Sequence, residues 1–296
     1  MLKKLKPYMM PIAIAVGALF YKFFFVLSFL TPYLIFVMLF LTYCNLNMHQ
    51  MHVSRLHIWL ILIQIFGSVA VFFALSPINI TLAQGAMICV LAPTGTAAPV
   101  ITGMLKGNVA SLTAYSLISN MCVALAAPII FSLVGSYQNL PFFESFLAIS
   151  QRVVLLLFLP FALAMFLQKF MPETTTRIAS FSGLSFYLWS LALCVVTGRT
   201  VVFMIKQDGA SHITEILVAI GALVVCISQF LIGRGIGKHY DDTVAGGQGL
   251  GQKNTILAIW MAQMYLNPIA SIGPGAYVLW QNIINRSEER RVGKEC

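Results

Sequence analysis

GGQGLGQKNT, which runs from Gly246 to Thr255, interrupts an otherwise apolar part of the chain. It places four glycines and a lysine in a segment that is apolar enough to cross a bilayer, and apolar sequence resumes from Ile256 to Met264. Because glycine is a poor helix former, this density predicts a membrane helix that is broken at its centre, with unwound backbone turned inward. Broken helices at mid-membrane are typical of binding sites in secondary transporters.

A second interruption lies far upstream, at APTGTAAPVIT from Ala92 to Thr102. Two prolines, a glycine and three threonines divide another apolar run there, so interruptions occur in corresponding places of the two halves of the chain. Such a pair indicates a transport site. The residues that we expect to shape the two breaks are prolines and glycines: Pro93, Gly95, Pro99, Gly246, Gly247 and Gly251.

The composition restricts the class of protein. The 296 residues are 59% hydrophobic and only 9% charged, whereas soluble domains carry about 25% charged residues. A span needs roughly 20 apolar residues, so the sequence predicts an all-α polytopic membrane protein with about ten helices, whose partner is the lipid bilayer. The net charge of +9 does not indicate nucleic acid, because the basic residues lie between apolar runs. Nothing in the sequence identifies a protein partner.

The apolar runs form two sets of five, with the interrupted run fourth in each set, so helices 4 and 9 are predicted to be broken. An odd number of spans in each half gives the halves opposite orientations, which is an inverted repeat. The predicted organisation is an N-terminus at 1–8, a first repeat at 9–135, a connector at 136–152, a second repeat at 153–286 and a polar tail at 287–296. The predicted runs are 9–20, 25–43, 57–73, 81–105, 109–135, 153–170, 178–197, 213–232, 244–265 and 269–284.

Basic residues predict the orientation, because short cytoplasmic loops collect lysine and arginine. With both termini inside, ten basic residues face the cytoplasm: Lys3, Lys4, Lys6, Arg55, Lys106, Lys169, Arg177, Arg234, Lys238 and Arg286. Four face outward: Lys22, Arg152, Arg199 and Lys206. We therefore expect cytoplasmic termini in a bacterial-type inner membrane. The tail, Ser287 to Cys296, breaks with the rest of the composition and has the character of appended, non-native sequence; the alternative is a solvated cytoplasmic tail.

At its two breaks the sequence resembles the bile acid:sodium symporter family. PTGTAAPVITGMLKGNVA, from Pro93 to Ala110, is similar to a family pattern of the form PGGTASNxxTxLAxGNxAL, and GLGQKNT, from Gly249 to Thr255, is similar to ExGxQNT. The resemblance covers the whole chain apart from the tail. It implies ten helices in two inverted repeats, in which the broken helices cross, and a core of helices three to five and eight to ten that moves against the other helices.

The positions that bind sodium in the family carry other residues here. The family's Ser–Asn pair falls on Ala98 and Pro99, its glutamate on Gly249, and its glutamine on Lys253, although the next asparagine is kept as Asn254. Of two hydroxyl positions in the following helix, one falls on Ser116 and the other on Leu112, unless Ser111 replaces it. The resemblance therefore implies the fold of a sodium symporter without its sodium ligands.

The chemistry of sodium leads to the same expectation without the family. A hard cation that leaves water needs several oxygen ligands, preferably with a carboxylate among them. The acidic residues outside the tail all lie in connectors or near helix ends: Glu144, Glu173, Asp208, Glu215, Asp241 and Asp242. We therefore expect no bound sodium and no other cofactor. The histidines His49, His52, His57, His212 and His239 lack paired-ligand spacing, so no metal site is expected either.

Lys253 lies inside a predicted span, where a lysine costs at least about 2.5 to 3.5 kcal/mol. Our hypothesis is that its ammonium takes the place of sodium as a tethered cation. One alternative is a lysine that exchanges a proton and couples transport to protons; another is a purely structural lysine that reaches toward water. The candidate partners in the substrate or coupling site are hydroxyl, amide and backbone groups: Thr94, Thr96, Thr102, Ser116, Gly249, Gln252, Asn254 and Thr255.

Three further polar residues have open roles. Arg199 either attracts an anion or anchors its helix at the interface. Gln64 and Gln84 either line the core or form hydrogen bonds between helices.

The sequence predicts a secondary transporter of a small or amphipathic organic anion, and no motif for ATP binding or catalysis accompanies it. A sodium-coupled symporter that binds its ion through carbonyls and hydroxyls alone, and a transport-dead sensor or partner subunit on the same fold, are the alternatives.

Overall fold

A computed structural model describes residues 8–46, 51–135, 140–206 and 212–292. The predictions about Lys3, Lys4, Lys6, His49, Asp208 and the end of the tail concern residues outside these ranges. No strand occurs in the described ranges. The α-helices are α1 (Met9–Leu19), α2 (Tyr21–Val26), α3 (Thr31–Cys44), α4 (Arg55–Leu75), α5 (Ile80–Leu91), α6 (Ala98–Met104), α7 (Val109–Val134), α8 (Phe142–Phe170), α9 (Pro172–Ser180), α10 (Leu184–Lys206), α11 (His212–Lys238), α12 (Thr243–Gly251), α13 (Thr255–Tyr265) and α14 (Ile272–Val292).

Six candidate spans among the described residues are long and apolar enough to cross a membrane: Tyr21–Cys44, which joins α2 and α3, and the helices α4, α7, α8, α10 and α11. Shorter apolar helices, α1, α5 and α13, accompany them. The long spans expose many large apolar side chains, which a soluble protein would bury. The protein is therefore an all-α integral membrane protein.

The helix boundaries differ from the sequence prediction at three places. The first apolar run forms an 11-residue helix, α1, which is too short to cross a bilayer by itself. The predicted connector does not extend to residue 152, because α8 already begins at Phe142. The seventh run does not begin at Ile178, since the short polar helix α9 ends at Ser180 and α10 begins at Leu184.

The chain forms two compact units, and each is built from separated stretches of sequence. One unit draws its described residues from 8–46 and 154–206, and the other from 51–135, 140–153 and 212–292. In the first unit, α10 packs against α1 and α2 through glycines. A Cβ atom on Gly17 would lie 2.6 Å from the Cys194 carbonyl oxygen, and one on Gly198 would lie 2.7 Å from the Phe24 Cβ atom. These glycines therefore permit close helix packing.

In the second unit, glycines of α11 and α12 let the two helices approach closely. A Cβ atom on Gly233 would lie 2.2 Å from the Gly246 carbonyl oxygen, and one on Gly246 would lie 2.3 Å from the Gly233 carbonyl oxygen. Gly247 packs against the Arg234 side chain, and Gly251 packs against the Phe230 ring. The prediction that Gly246, Gly247 and Gly251 unwind the backbone is wrong, because α12 is helical through all three. Their function is packing.

We expect Gly233→Ala to lower the free energy of unfolding by about 1 to 3 kcal/mol, because its methyl group would overlap the α12 backbone. Gly235→Ala is the matched control, since nothing lies within 4 Å of a Cβ atom there. The control should be neutral or stabilising, because alanine is the better helix former. Thermal unfolding of the purified variants measures both, and equal melting temperatures would contradict the packing role.

The polar tail continues α14 as far as Val292. Glu288 lies in it and is 8% exposed, and its Oε1 atom lies 3.0 Å from the Arg234 Nη1 atom. The Arg234 side chain is 36% exposed, so water can solvate this guanidinium when the tail is absent. Because its Arg234 end is partly solvated, this ion pair should contribute less to stability than a fully buried pair.

Deletion of Ser287 to Cys296 should therefore leave membrane expression and activity unchanged. The measurement is the yield of folded, monodisperse protein from membranes, compared between the full chain and the deletion variant. A collapse of that yield would show that the tail is a structural part of the protein.

Candidate functional site

The interruptions between α5 and α6 and between α12 and α13 meet through their backbones. Thr94 and Lys253 form an isolated antiparallel bridge. The Gly95 N–H donates to the Gln252 carbonyl oxygen at 2.9 Å, and the Asn254 N–H donates to the Pro93 carbonyl oxygen at 2.8 Å. We call these two unwound segments, Ala92–Ala97 and Gln252–Asn254, the crossing. The broken helices therefore satisfy part of their freed backbone with each other.

Gly95 is required at the point of closest approach. A Cβ atom there would lie 2.8 Å from the Lys253 carbonyl oxygen and 3.1 Å from its carbonyl carbon. Any side chain would therefore push the two breaks apart. Pro99 has a different role. It lies in the first turn of α6, where backbone N–H groups have no partner within the helix, so the missing N–H of proline costs no helical hydrogen bond.

Side chains from three other segments donate hydrogen bonds to the backbone carbonyls at the C-terminal end of α5. The Gln229 Nε2 atom donates to the Cys89 carbonyl at 3.1 Å, and the Lys253 Nζ atom donates to the Val90 carbonyl at 2.9 Å. The Gln64 Nε2 atom donates to the carbonyls of Leu91 and Ala92 at 2.8 and 2.9 Å. Consecutive carbonyls that the break releases are thus hydrogen-bonded, as a buried helix end requires.

Lys253 places its side-chain nitrogen at the negative end of α5. The residue is 2% exposed, and its ammonium contacts a carbonyl in the last turn of that helix. Positive charge is favourable at a helix C-terminus. In the described part of the chain, no carboxylate oxygen lies within 4.0 Å of this ammonium. The Lys253 side chain is therefore held at a backbone dipole rather than in an ion pair.

Hydrogen bonds also fix the second break. The Thr94 Oγ1 atom donates to the Gly249 carbonyl at 2.9 Å, and the Tyr277 hydroxyl donates to the Gly251 carbonyl at 2.9 Å. The Lys253 N–H donates to the Gln281 Oε1 atom at 2.9 Å. The break is therefore held by α14 as well as by the first break.

Buried amides extend this network along α14. The Gln248 Nε2 atom donates to the Asn285 Oδ1 atom at 2.9 Å, and the Asn285 Nδ2 atom donates to the Gln252 Oε1 atom at 2.6 Å. Gln248 of α12 and Gln252 of the crossing are thereby both joined to Asn285 of α14.

Apolar side chains occupy two of the positions that correspond to sodium ligands in the resemblance, Ala98 and Leu112. Ala98, Leu112 and Leu250 are buried in one hydrophobic cluster, together with Leu56, Leu60, Tyr115 and Ala245. A Cβ atom on Gly249 would lie 2.9 Å from the Tyr115 Cδ1 atom. The ring of Tyr115 thus fills the space next to Gly249, and its hydroxyl donates to the Gln64 Oε1 atom at 2.8 Å. Nothing in this cluster resembles the oxygen shell of a hard cation.

The remaining candidate residues divide into two groups. Asn254 caps α13, because its Oδ1 atom accepts from the Leu257 N–H at 3.3 Å, and Thr255 is buried at the start of the same helix. Thr96 and Ser116 are half-buried, and Thr102 is fully buried with its hydroxyl unpaired among the described residues. The structure does not bring these three hydroxyls to the Lys253 ammonium, whose hydrogen-bond acceptor is the Val90 carbonyl.

Several polar residues at the crossing were not among the sequence candidates: Tyr115, Ser119, Gln229, Gln248, Tyr277, Gln281 and Asn285. Each is a polar side chain inside a long apolar run. The same is true of Gln64 and Gln84, whose roles the sequence left open. Gln84 joins helices, because its Nε2 atom donates to the Val134 carbonyl and its Oε1 atom accepts from the Asn267 N–H. Gln64 joins α4 to the crossing, because its Nε2 atom donates to the Ala92 carbonyl.

The His57 Nε2 and Ser111 Oγ atoms lie 3.0 Å apart, but the two residues do not form an activated nucleophile. The His57 Nδ1 atom accepts from the Ser54 N–H at 3.3 Å, so the ring proton is on Nε2 and is donated to the Ser111 hydroxyl. His57 belongs to the capping box of α4, and Ser111 lies in the first turn of α7, which Asn108 caps. Arg199 lies over the Phe203 ring, with 5.4 Å between the guanidinium carbon and the ring centroid.

Comparison of the chain with protein-family models and with curated proteins found no match. The assignment to a class therefore rests on the structure: an all-α integral membrane protein in which two broken helices meet around a buried lysine.

We expect Gly249→Ala to lower the free energy of unfolding by about 1 to 3 kcal/mol, because the new methyl group would overlap the Tyr115 ring. In a Tyr115→Leu background the same substitution should cost less, because the ring is gone. A double-mutant cycle on melting temperature measures the difference. Equal costs in both backgrounds would show that Tyr115 does not fill this space.

Proposed function

We propose that this protein is a secondary transporter that moves a small or amphipathic organic anion by alternating access, with the Lys253 ammonium in place of a bound sodium ion. The proposal includes the inverted-repeat architecture, the likeness to bile acid:sodium symporters, and a bacterial-type plasma membrane with cytoplasmic termini. The observation that carries it is the crossing of two broken helices around a buried lysine. Unwound backbone at membrane depth is tolerated where it serves a binding site.

The apolar cluster around Gly249 supports transport without sodium. A sodium ion would need several oxygen ligands there, but two of the corresponding positions carry the buried apolar side chains of Ala98 and Leu112, and Gly249 carries none. Lys253 supplies a positive charge at the same crossing, covalently attached. The substitution of the ligands and the arrival of the lysine are complementary changes, since each would be unfavourable without the other.

The unpaired charge of Lys253 supports an anionic substrate. In a low-dielectric interior a charge without a counterion exerts a field over longer distances than it does in water. The described carboxylates outside the tail are all exposed or half-buried, so none of them neutralises a charge on Lys253 at the crossing. An anion that approaches the crossing is therefore attracted, whereas a cation is repelled.

The grouping of helices supports alternating access. The two compact units separate α1, α2, α3, α9 and α10 from α4 to α7 and α11 to α14. This is the division into moving core and remaining helices that the resemblance implies. Movement of one unit against another is a common mechanism of secondary transport.

The test is uptake into proteoliposomes, with a bile acid, a short monocarboxylate and an aryl sulfonate as substrates. Each is measured in sodium chloride and in choline chloride at matched ionic strength. We expect uptake of at least one anion at the same rate in both salts. Strictly sodium-dependent uptake would favour the sodium-coupled symporter, and no flux for any anion would favour a sensor or partner subunit.

The Lys253→Met variant should lose at least about tenfold in uptake rate, which corresponds to about 1.4 kcal/mol in barrier height. Lys238→Met is the matched control, because Lys238 lies exposed at the end of α11, and it should transport normally. The melting temperature of both variants shows whether a loss of rate is a loss of fold. Unchanged uptake and unchanged pH dependence in Lys253→Met would contradict the proposed role of the lysine.

A further inference from the structure

Gln229 lies next to Lys253 on the same edge of α5. The two side chains donate to adjacent carbonyls, Gln229 to that of Cys89 and Lys253 to that of Val90. Both residues are buried, at 4% and 2% exposure. They come from different segments, α11 and the crossing, and share one hydrophobic surrounding that includes Cys89 and Cys226.

The orientation of the Gln229 side-chain amide is fixed by the hydrogen bonds that its Nε2 atom donates. Its Nε2 atom donates to the Cys89 carbonyl and, at 3.3 Å, to the Tyr277 oxygen. Tyr277 uses its own hydroxyl proton on the Gly251 carbonyl, so its oxygen is an acceptor for Gln229. A flipped amide would direct its oxygen at the Cys89 carbonyl, which is repulsive. The Gln229 Oε1 atom is therefore held as an acceptor, and it has no hydrogen-bond partner among the described residues.

Lys253 has hydrogen-bond donors without acceptors, and Gln229 has an acceptor without a donor. An ammonium carries three N–H donors, and that of Lys253 makes one hydrogen bond within the described chain. Unpaired polar groups in a low-dielectric interior are unfavourable, and charged ones are especially so. The unpaired acceptor of Gln229 and the spare donors of Lys253 are complementary in chemistry, and in this structure they are not hydrogen-bonded to each other. The flexible lysine side chain can reach from one carbonyl position to the next.

We propose that Gln229 is a positioning residue for the Lys253 ammonium, and that its Oε1 dipole is the second acceptor that keeps the charge at the end of α5. This inference rests on the proposed function, because it assigns the residue that holds the tethered cation. Gln229 does not contact substrate in this role. It acts through Lys253.

The test is a charge cycle on melting temperature in purified protein. Gln229→Glu is made in the natural chain and in Lys253→Met. In both backgrounds the substitution removes the donor to the Cys89 carbonyl and lowers the melting temperature, but with Lys253 present the ammonium offsets the new carboxylate, so we expect the smaller fall. Without Lys253, the carboxylate is buried and unpaired, so we expect a fall larger by several degrees. Lys253→Gln provides a second background if Lys253→Met yields too little protein.

Gln84→Glu is the matched control. Gln84 is a buried glutamine of the same unit that bonds Val134 and Asn267 instead of the end of α5. Its substitution should cost the same with and without Lys253. An equal cost of Gln229→Glu in the two backgrounds would overturn the inference. Because the readout is stability, this outcome is distinct from a failure of the transport proposal, which the uptake rates decide.

Discussion

The requirement that governs this structure is the pairing of backbone groups that two broken helices release inside a membrane protein. Water cannot satisfy these groups at membrane depth, and each unpaired group is unfavourable by several kcal/mol. The breaks meet this requirement by pairing with each other and by accepting side-chain donors. Four segments, α4, α11, α14 and the crossing, thereby depend on one another. A change in one of them alters the hydrogen bonds of the rest.

Charge and apolar packing are separated at the crossing. On one side, the end of α5 holds the Lys253 ammonium by its carbonyl dipole. On the other side, Tyr115 and its aliphatic neighbours fill the space beside Gly249. This separation explains how a lysine is accommodated without a carboxylate partner. The carbonyl dipole at the helix end offsets part of the cost of burying the amine.

The glycines of the second broken helix show where sequence reasoning misses a tertiary cause. Glycine-rich sequence predicts unwinding from propensity alone. In the structure, α12 keeps its helix through Gly246 and Gly247, because these residues allow contact with Gly233 and the Arg234 stem. Packing against α11 compensates for the weak propensity. The break falls instead at Gln252–Asn254, where the backbone bonds to Pro93 and Gly95 replace the helical ones.

The sequence by itself determined the membrane class, the all-α architecture and the location of both interruptions, because apolar run length and breaker residues act locally. It also identified Lys253 as an unusual residue, since a charge in an apolar run is visible without a structure. Only the tertiary structure decided what the lysine contacts. The lysine donates to the Val90 carbonyl, the Gln229 amide donates to the neighbouring Cys89 carbonyl, and the Tyr115 ring packs beside Gly249. These groups are far apart in sequence, and no local pattern encodes their meeting. Long-range pairing of released backbone groups selected those partners.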